Sequence, residues 1–209
     1  MKVKLVNIGK CINGVSVLDD ISTEFEGGNI YGIVGKNGSG KTMLLRMIAG
    51  LIKPTAGTIY VDDRQMWKEI DFPPELGIII EKPMFIEFLS GYENLKLIAE
   101  IKNIVKGDEI RELMIDFSLN PYSKQSIKKY SLGMKQKIGI IQAIMEKPKL
   151  LILDEPFNAL DHESVLKLRE KLIEMKAAGA IILITSHNME DIESVCDETL
   201  MMKTGKLDN

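Results

Sequence analysis

Residues 29–50 read NIYGIVGKNGSGKTMLLRMIAG, and this stretch decides the fold. NIYGIVG is a short apolar run of strand type, TMLLRMIAG spaces its apolar residues as a helix does and stops at Gly50, and a glycine-rich segment joins the two. That segment, Gly35-Lys36-Asn37-Gly38-Ser39-Gly40-Lys41-Thr42, matches G-x-x-x-x-G-K-[ST] in the strand-to-helix setting the pattern requires. Glycines let the backbone curl until its N–H groups face the phosphates of a nucleotide, and the helix N-terminus behind them adds partial positive charge. Lys41 brings a full charge to the β- and γ-phosphates, the Thr42 hydroxyl suits Mg²⁺, and Met43 completes the run of expected nucleotide contacts. A glycine-rich turn with an incidental lysine has no need of a strand before it and a helix after it.

Working outward, KVKLVNI alternates as a strand does, with turns at Asn13-Gly14 and Gly27-Gly28, so residues 1–35 read as antiparallel strands leading into a buried one. On the other side, KPTAG at 53–57 is turn chemistry before the strand TIYVDD. From about residue 86 to 146 the pattern is helical, in EFLSGYENLKLIAEIK, GDEIRELMIDFSL and MKQKIGIIQAIME, with breaks expected at Gly107 and Pro121. KLLILDEP at 149–156 and AIILITS at 180–186 are nearly continuous apolar runs, the pattern of parallel strands covered on both faces. Between them Val165, Leu168, Leu172 and Met175 mark one face of a helix. The expected fold is α/β, a phosphate-loop (P-loop) NTPase core with a parallel sheet, an N-terminal antiparallel β subdomain and an inserted α-helical subdomain, all within one domain over 1–209.

Composition narrows the partners. A chain of 209 residues with 45% hydrophobic content can bury a sizeable core. Its net charge of −3 argues against a general nucleic-acid surface or an anionic-lipid anchor. The apolar runs LGIII and AIILI fall far short of the about 18 residues that span a bilayer, so no direct membrane insertion is expected. MKVKLVNIGK breaks its apolar residues with Asn7 and Lys10 before a signal-type stretch forms, and Cys11 and Cys196 lack metal-ligand or redox spacing. The cytoplasm is the expected compartment.

LLILDE at 150–155 runs a hydrophobic strand straight into two acids, which need a charge to meet. Mg²⁺ is the natural partner: Asp154 would ligate it directly or through water. Glu155, one residue on, would act as general base on a water aligned with the γ-phosphate. These two motifs alone leave kinases, GTPases and motor ATPases open.

YSLGMKQK at 130–137, shortly before the acidic strand, resembles the signature of ABC ATPases, commonly written LSGGQ followed by Lys-Gln-Arg. Asn158-Ala159-Leu160-Asp161 resembles that family's D-loop, and His187 after IILITS resembles its switch histidine. The resemblance covers essentially the whole chain. It implies ATP and Mg²⁺ as ligands, and two subunits head to tail, each phosphate loop facing the other subunit's Ser131, Gly133 and Met134. His187 would contact the γ-phosphate and help Glu155 hold the water. His162 carries no such placement and reads as an exposed helix start.

This chain departs from the family pattern in four places. Glu81 stands where the Q-loop glutamine is usual, and a carboxylate there is expected to ligate Mg²⁺ and to couple the site to a membrane partner. Leu132 replaces the first signature glycine and Met134 the glutamine. KCINGV lacks the aromatic that stacks on adenine, and Ile12 is expected in its place. Glu81 with SLGMKQ is similar to the bacitracin- and lantibiotic-type peptide-antibiotic export and immunity subfamily. The resemblance implies an ATPase that powers integral-membrane subunits from the inner face of the cell membrane, as a homodimer. A soluble ABC ATPase of DNA repair or ribosomes would carry a long coiled coil or a second ATPase domain; a non-hydrolysing regulator would not need both Glu155 and His187.

Overall fold

The early alternation forms a hairpin in which β1 (Lys2–Ile12) and β2 (Val15–Glu26) pair antiparallel across Asn13 and Gly14. Both turn residues have positive φ, 49° and 80°, the geometry that matches the twist of the strands it joins. The computed structural model describes residues 1–208. β4 (Ala56–Val61) pairs with the other edge of β1 and turns through Asp62 and Asp63, again both at positive φ, into β5 (Arg64–Gln65). These four strands form one antiparallel sheet, in the order β2-β1-β4-β5.

The second sheet holds β3 (Asn29–Val34), β6 (Leu76–Ile79), β7 (Leu150–Asp154), β8 (Ile181–Ser186), β9 (Glu198–Lys203) and β10 (Lys206–Asp208). Its order is β10-β9-β3-β8-β7-β6, parallel throughout except for β10 at the edge. Side chains alternate across a strand, so a strand buried on both faces must be apolar at every position. In β7, Leu150 and Ile152 pack toward the antiparallel sheet and α1 (Lys41–Ile48), while Leu151 and Leu153 pack toward the helices on the other face. Ile181 to Leu183 and Ile182 to Ile184 divide in the same way along β8. Each of these aliphatic side chains is fully buried, which contributes about 1.5–3 kcal/mol apiece. The two strands are thereby fixed, and their C-terminal ends carry the acids and hydroxyls described below.

Between β6 and β7, which are neighbours in the sheet, the chain forms α2 (Gly91–Lys102), α3 (Gly107–Asp116) and α4 (Leu132–Ile144). Ser90 opens α2 with a reciprocal capping box to Glu93. The expected break at Gly107 separates α2 from α3: Asn103 ends α2 in the left-handed conformation at φ 53°, and Gly107 is the first residue of α3. α5 (His162–Ala177) buries Leu168, Leu172 and Met175, while His162 is exposed at its start. α6 (Met189–Glu193), β9 and β10 are elements the sequence reading leaves unassigned. No helix among the described residues is long and apolar enough to cross a membrane.

Candidate nucleotide-binding and catalytic site

Between the end of β3 and the start of α1 the chain makes a tight loop. Gly38 and Gly40 adopt φ of 79° and 106°, where a side chain would be strained. Gly40 caps α1 with no side chain, so the first N–H groups of that helix have no side-chain acceptor. Lys41 is 6% exposed, and its ammonium donates to the loop's own carbonyls, Gly35 O at 2.7 Å and Lys36 O at 3.4 Å. Ser39 Oγ is buried without a hydrogen-bond partner, the mark of a polar group kept for a ligand.

β7 and β8 set Asp154 beside Thr185 in register. Asp154 is held at both oxygens: the Thr42 hydroxyl donates to Oδ2 at 2.8 Å and the Thr185 hydroxyl to Oδ1 at 2.5 Å. The Thr42–Asp154 pair offers only hard oxygen donors, which fits Mg²⁺. Simple strand alternation would throw the next carboxylate to the opposite face. Instead Glu155 takes φ 51°, a conformation that costs a non-glycine residue about 1–3 kcal/mol. The Glu155 N–H donates to Thr185 Oγ1 at 2.9 Å and helps hold that turn. The Glu155 carboxylate then meets His187 Nδ1 at 2.8 Å. An ionised carboxylate only accepts, so Nδ1 carries the proton in this pair and Nε2 is left over. Val17, Asn37, Gly38, Ser39, Gly40, Lys41, Thr42, Met43, Asp154 and Glu155 line one depression of about 280 Å³. A larger cavity, about 490 Å³ between α3 and α5, contains none of these residues.

Thr185 escaped the sequence reading because a threonine at the end of IILITS looks like an ordinary β-branched strand former. Its hydroxyl nonetheless ties Asp154 to Glu155. Thr185→Val keeps the shape and removes both bonds, so it is expected to cost about 1–3 kcal/mol in a denaturant titration and to lower turnover, whereas Thr185→Ser restores both.

Other expected residues stand apart from this cluster. The Glu81 carboxylate is paired with Arg46 Nη2 at 2.5 Å, and it makes no bond to Thr42 or Asp154. Ile12 lies at the outer end of β1, 40% exposed, and does not line the depression. Val17, within β2, is the hairpin residue that lines it. Ser131 caps α4, its Oγ accepting from the Met134 N–H at 3.2 Å, and neither residue nor Gly133 borders the phosphate loop of the same chain. The start of α4 is fastened to residues 156–161. Gln136 Nε2 donates to Pro156 O at 3.2 Å, and Lys137, nearly buried, pairs with Asp161 at 2.6 Å. The Lys137 ammonium, with the Ser164 N–H, holds the Asp161 carboxyl well below the usual carboxylate range.

Residues 18–158 match the family model of the ABC transporter. The uncharacterized ABC transporter ATP-binding protein YybJ of Bacillus subtilis (strain 168) is 44% identical, over 99% of this chain and 94% of its own. The bacitracin transport ATP-binding protein BcrA of Bacillus licheniformis is 36% identical over 98% of this chain and 68% of its own. The lantibiotic transport ATP-binding protein SrtF of Streptococcus pyogenes is 33% identical over 98% and 88%. Among solved structures, the ATP-binding subunit of an ABC transporter superposes with a TM-score of 0.90 at 28% identity, covering 100% of this chain and 89% of that one. The loop that cradles phosphate, the paired acids and these likenesses agree: the chain belongs to the ABC transporter ATP-binding family, the ATP-hydrolysing subunits of ABC transporters.

Proposed function

We propose that this chain closes with a second copy of itself around two Mg-ATP molecules, and that Glu155 and His187 carry out the hydrolysis that drives a membrane transporter. The observation that carries the reading is the run of contacts Thr42–Asp154–Thr185–Glu155–His187 at the mouth of the phosphate loop. ATP places its phosphates over Gly35–Thr42, and Lys41 exchanges its bonds to Gly35 and Lys36 for phosphate oxygens. Thr42 and Asp154 would hold Mg²⁺, which would supply neutralising positive charge to the phosphates. Glu155 accepts a proton as the water oxygen bonds to the γ-phosphorus and the bridging bond to ADP breaks; His187 fixes the carboxylate through Nδ1–H. Ser131, Gly133 and Met134 serve the other copy's ATP, with the N-terminus of α4 directed at its γ-phosphate. Residues 1–209 act as one ATP-binding domain in which the helical lobe moves against the core.

The coupling surface is the segment after β6, where Met84 and Phe88 are 93% and 80% exposed and Met84 shares a shallow cavity with Leu51. Exposed apolar side chains of this size suit a partner, and the partner is the integral-membrane subunit, with this chain peripheral on the inner, cytoplasmic face. The relatives named for bacitracin and lantibiotic transport point to peptide antibiotics as the transported class, in export or immunity.

Two measurements test the reading. Phosphate release by the purified chain should stop on chelation of Mg²⁺ and fall about 10²-fold in His187→Ala. Cells carrying that variant should tolerate less bacitracin-type or lantibiotic peptide than cells with the native chain. Unchanged hydrolysis removes the catalytic reading, and unchanged tolerance with impaired hydrolysis removes only the substrate class.

A further inference from the structure

We infer that Arg46 is a positioning residue for Glu81: it holds that carboxylate on α1, away from the bonds of the Thr42–Asp154 pair, and competes for it with Mg²⁺ bound there. The inference rests on the proposed reading of Thr42 and Asp154 as the residues that hold the metal. Arg46 lies four residues after Thr42 on α1, one turn further along the same face, a rise of about 6 Å. The Glu81 carboxylate is tied there, its Oε1 at 2.5 Å from Arg46 Nη2. Its backbone is left-handed at φ 62°, a conformation that its surroundings must maintain. Both oxygens of Asp154 are meanwhile taken by threonine hydroxyls, and Glu81 makes no bond to that cluster.

The chemistry of position 81 gives the pairing its consequence. An amide there would form no ion pair with Arg46. A carboxylate is claimed by two cations at once, the permanently charged guanidinium and a hard divalent metal. Metal ligation by Glu81 therefore competes with the Arg46 pair, which engages one of the two carboxylate oxygens. The side chains are 30% and 62% exposed, so water screens the attraction and the hold is weak enough to release. Freeing Glu81 should tighten metal binding by about two- to fivefold, the range an exposed ion pair supports.

The test uses the full chain saturated with a non-hydrolysable ATP analogue, with Mn²⁺ in place of Mg²⁺ and free Mn²⁺ read by its electron paramagnetic resonance signal. Arg46→Gln should tighten Mn²⁺ by that factor, Glu81→Gln should weaken it, and the double variant should match Glu81→Gln alone. If Arg46→Gln tightens Mn²⁺ equally in the Glu81→Gln background, Arg46 acts through its own charge and the inference is overturned. If Glu81→Gln weakens Mn²⁺ but Arg46→Gln changes nothing, the inference also fails, while Glu81 stands as a ligand. Asp154→Asn tests the underlying reading separately: unaltered Mn²⁺ affinity there removes the metal site itself.

Discussion

Replacing Glu155 by glutamine should cut ATP turnover about 10²- to 10⁴-fold while ATP still binds. The amide has nearly the same volume, and its carbonyl oxygen can still accept from His187 Nδ1, so the 2.8 Å contact and the strained turn at φ 51° have no reason to change. What disappears is the capacity to take a proton from water. Gly35–Thr42 and the Thr42–Asp154 bond are untouched, so the phosphate-binding apparatus remains. Under the proposed cycle a closed pair reopens only after hydrolysis, so the variant should accumulate an ATP-dependent dimer. Size-exclusion chromatography with and without ATP reads the dimer, and phosphate release reads the turnover. Wild-type turnover in Glu155→Gln would assign the base to another group.

The parts of this site that could be read from the sequence are those where chemistry demands fixed residue types at fixed spacing. GKNGSGKT and LLILDE are of that kind, and the apolar runs of β7 and β8 declare strands buried on both faces. What escaped depends on neighbours far along the chain. Arg46 and Glu81 belong to different elements, and no periodicity links them. The function of Thr185 appears only once β7 and β8 are in register. β9 buries only Met202 among ETLMMK, so it lacks the apolar pattern that marked its neighbours. Gly107 marks the break between α2 and α3 in the sequence, but the residue that ends α2, Asn103 in the left-handed region, has nothing in the pattern to single it out. Val17 lines the depression from β2, and no motif in the sequence marks it.

The second large effect is expected at Gly133, where two physical tendencies oppose each other. Alanine in place of glycine favours a helix by about 1 kcal/mol, so propensity alone predicts a more stable α4. A Cβ at 133, however, would lie 2.6 Å from the carbonyl oxygen of Ala159, a backbone atom that cannot rotate aside. The loop bearing Ala159 is pinned. Asp161 caps α5 by accepting from the Ser164 N–H at 2.9 Å and pairs with Lys137, while Gln136 holds Pro156. Relief of the clash must therefore displace either this loop or the start of α4, and overpacking of this kind costs about 1–3 kcal/mol. The clash outweighs the propensity gain. Gly133→Ala should bind ATP as the native chain does, because the phosphate loop lies elsewhere. It should also fail to form the ATP-dependent dimer in the Glu155→Gln background, and alone it should lose about 10²-fold in turnover, the usual effect of misplacing one donor to transition-state charge. Leu132→Ala, at an exposed neighbouring position, is the control that leaves the Ala159 contact intact. If Gly133→Ala melts at a higher temperature and turns over normally, propensity has won, and Gly133 is only the second residue of a helix.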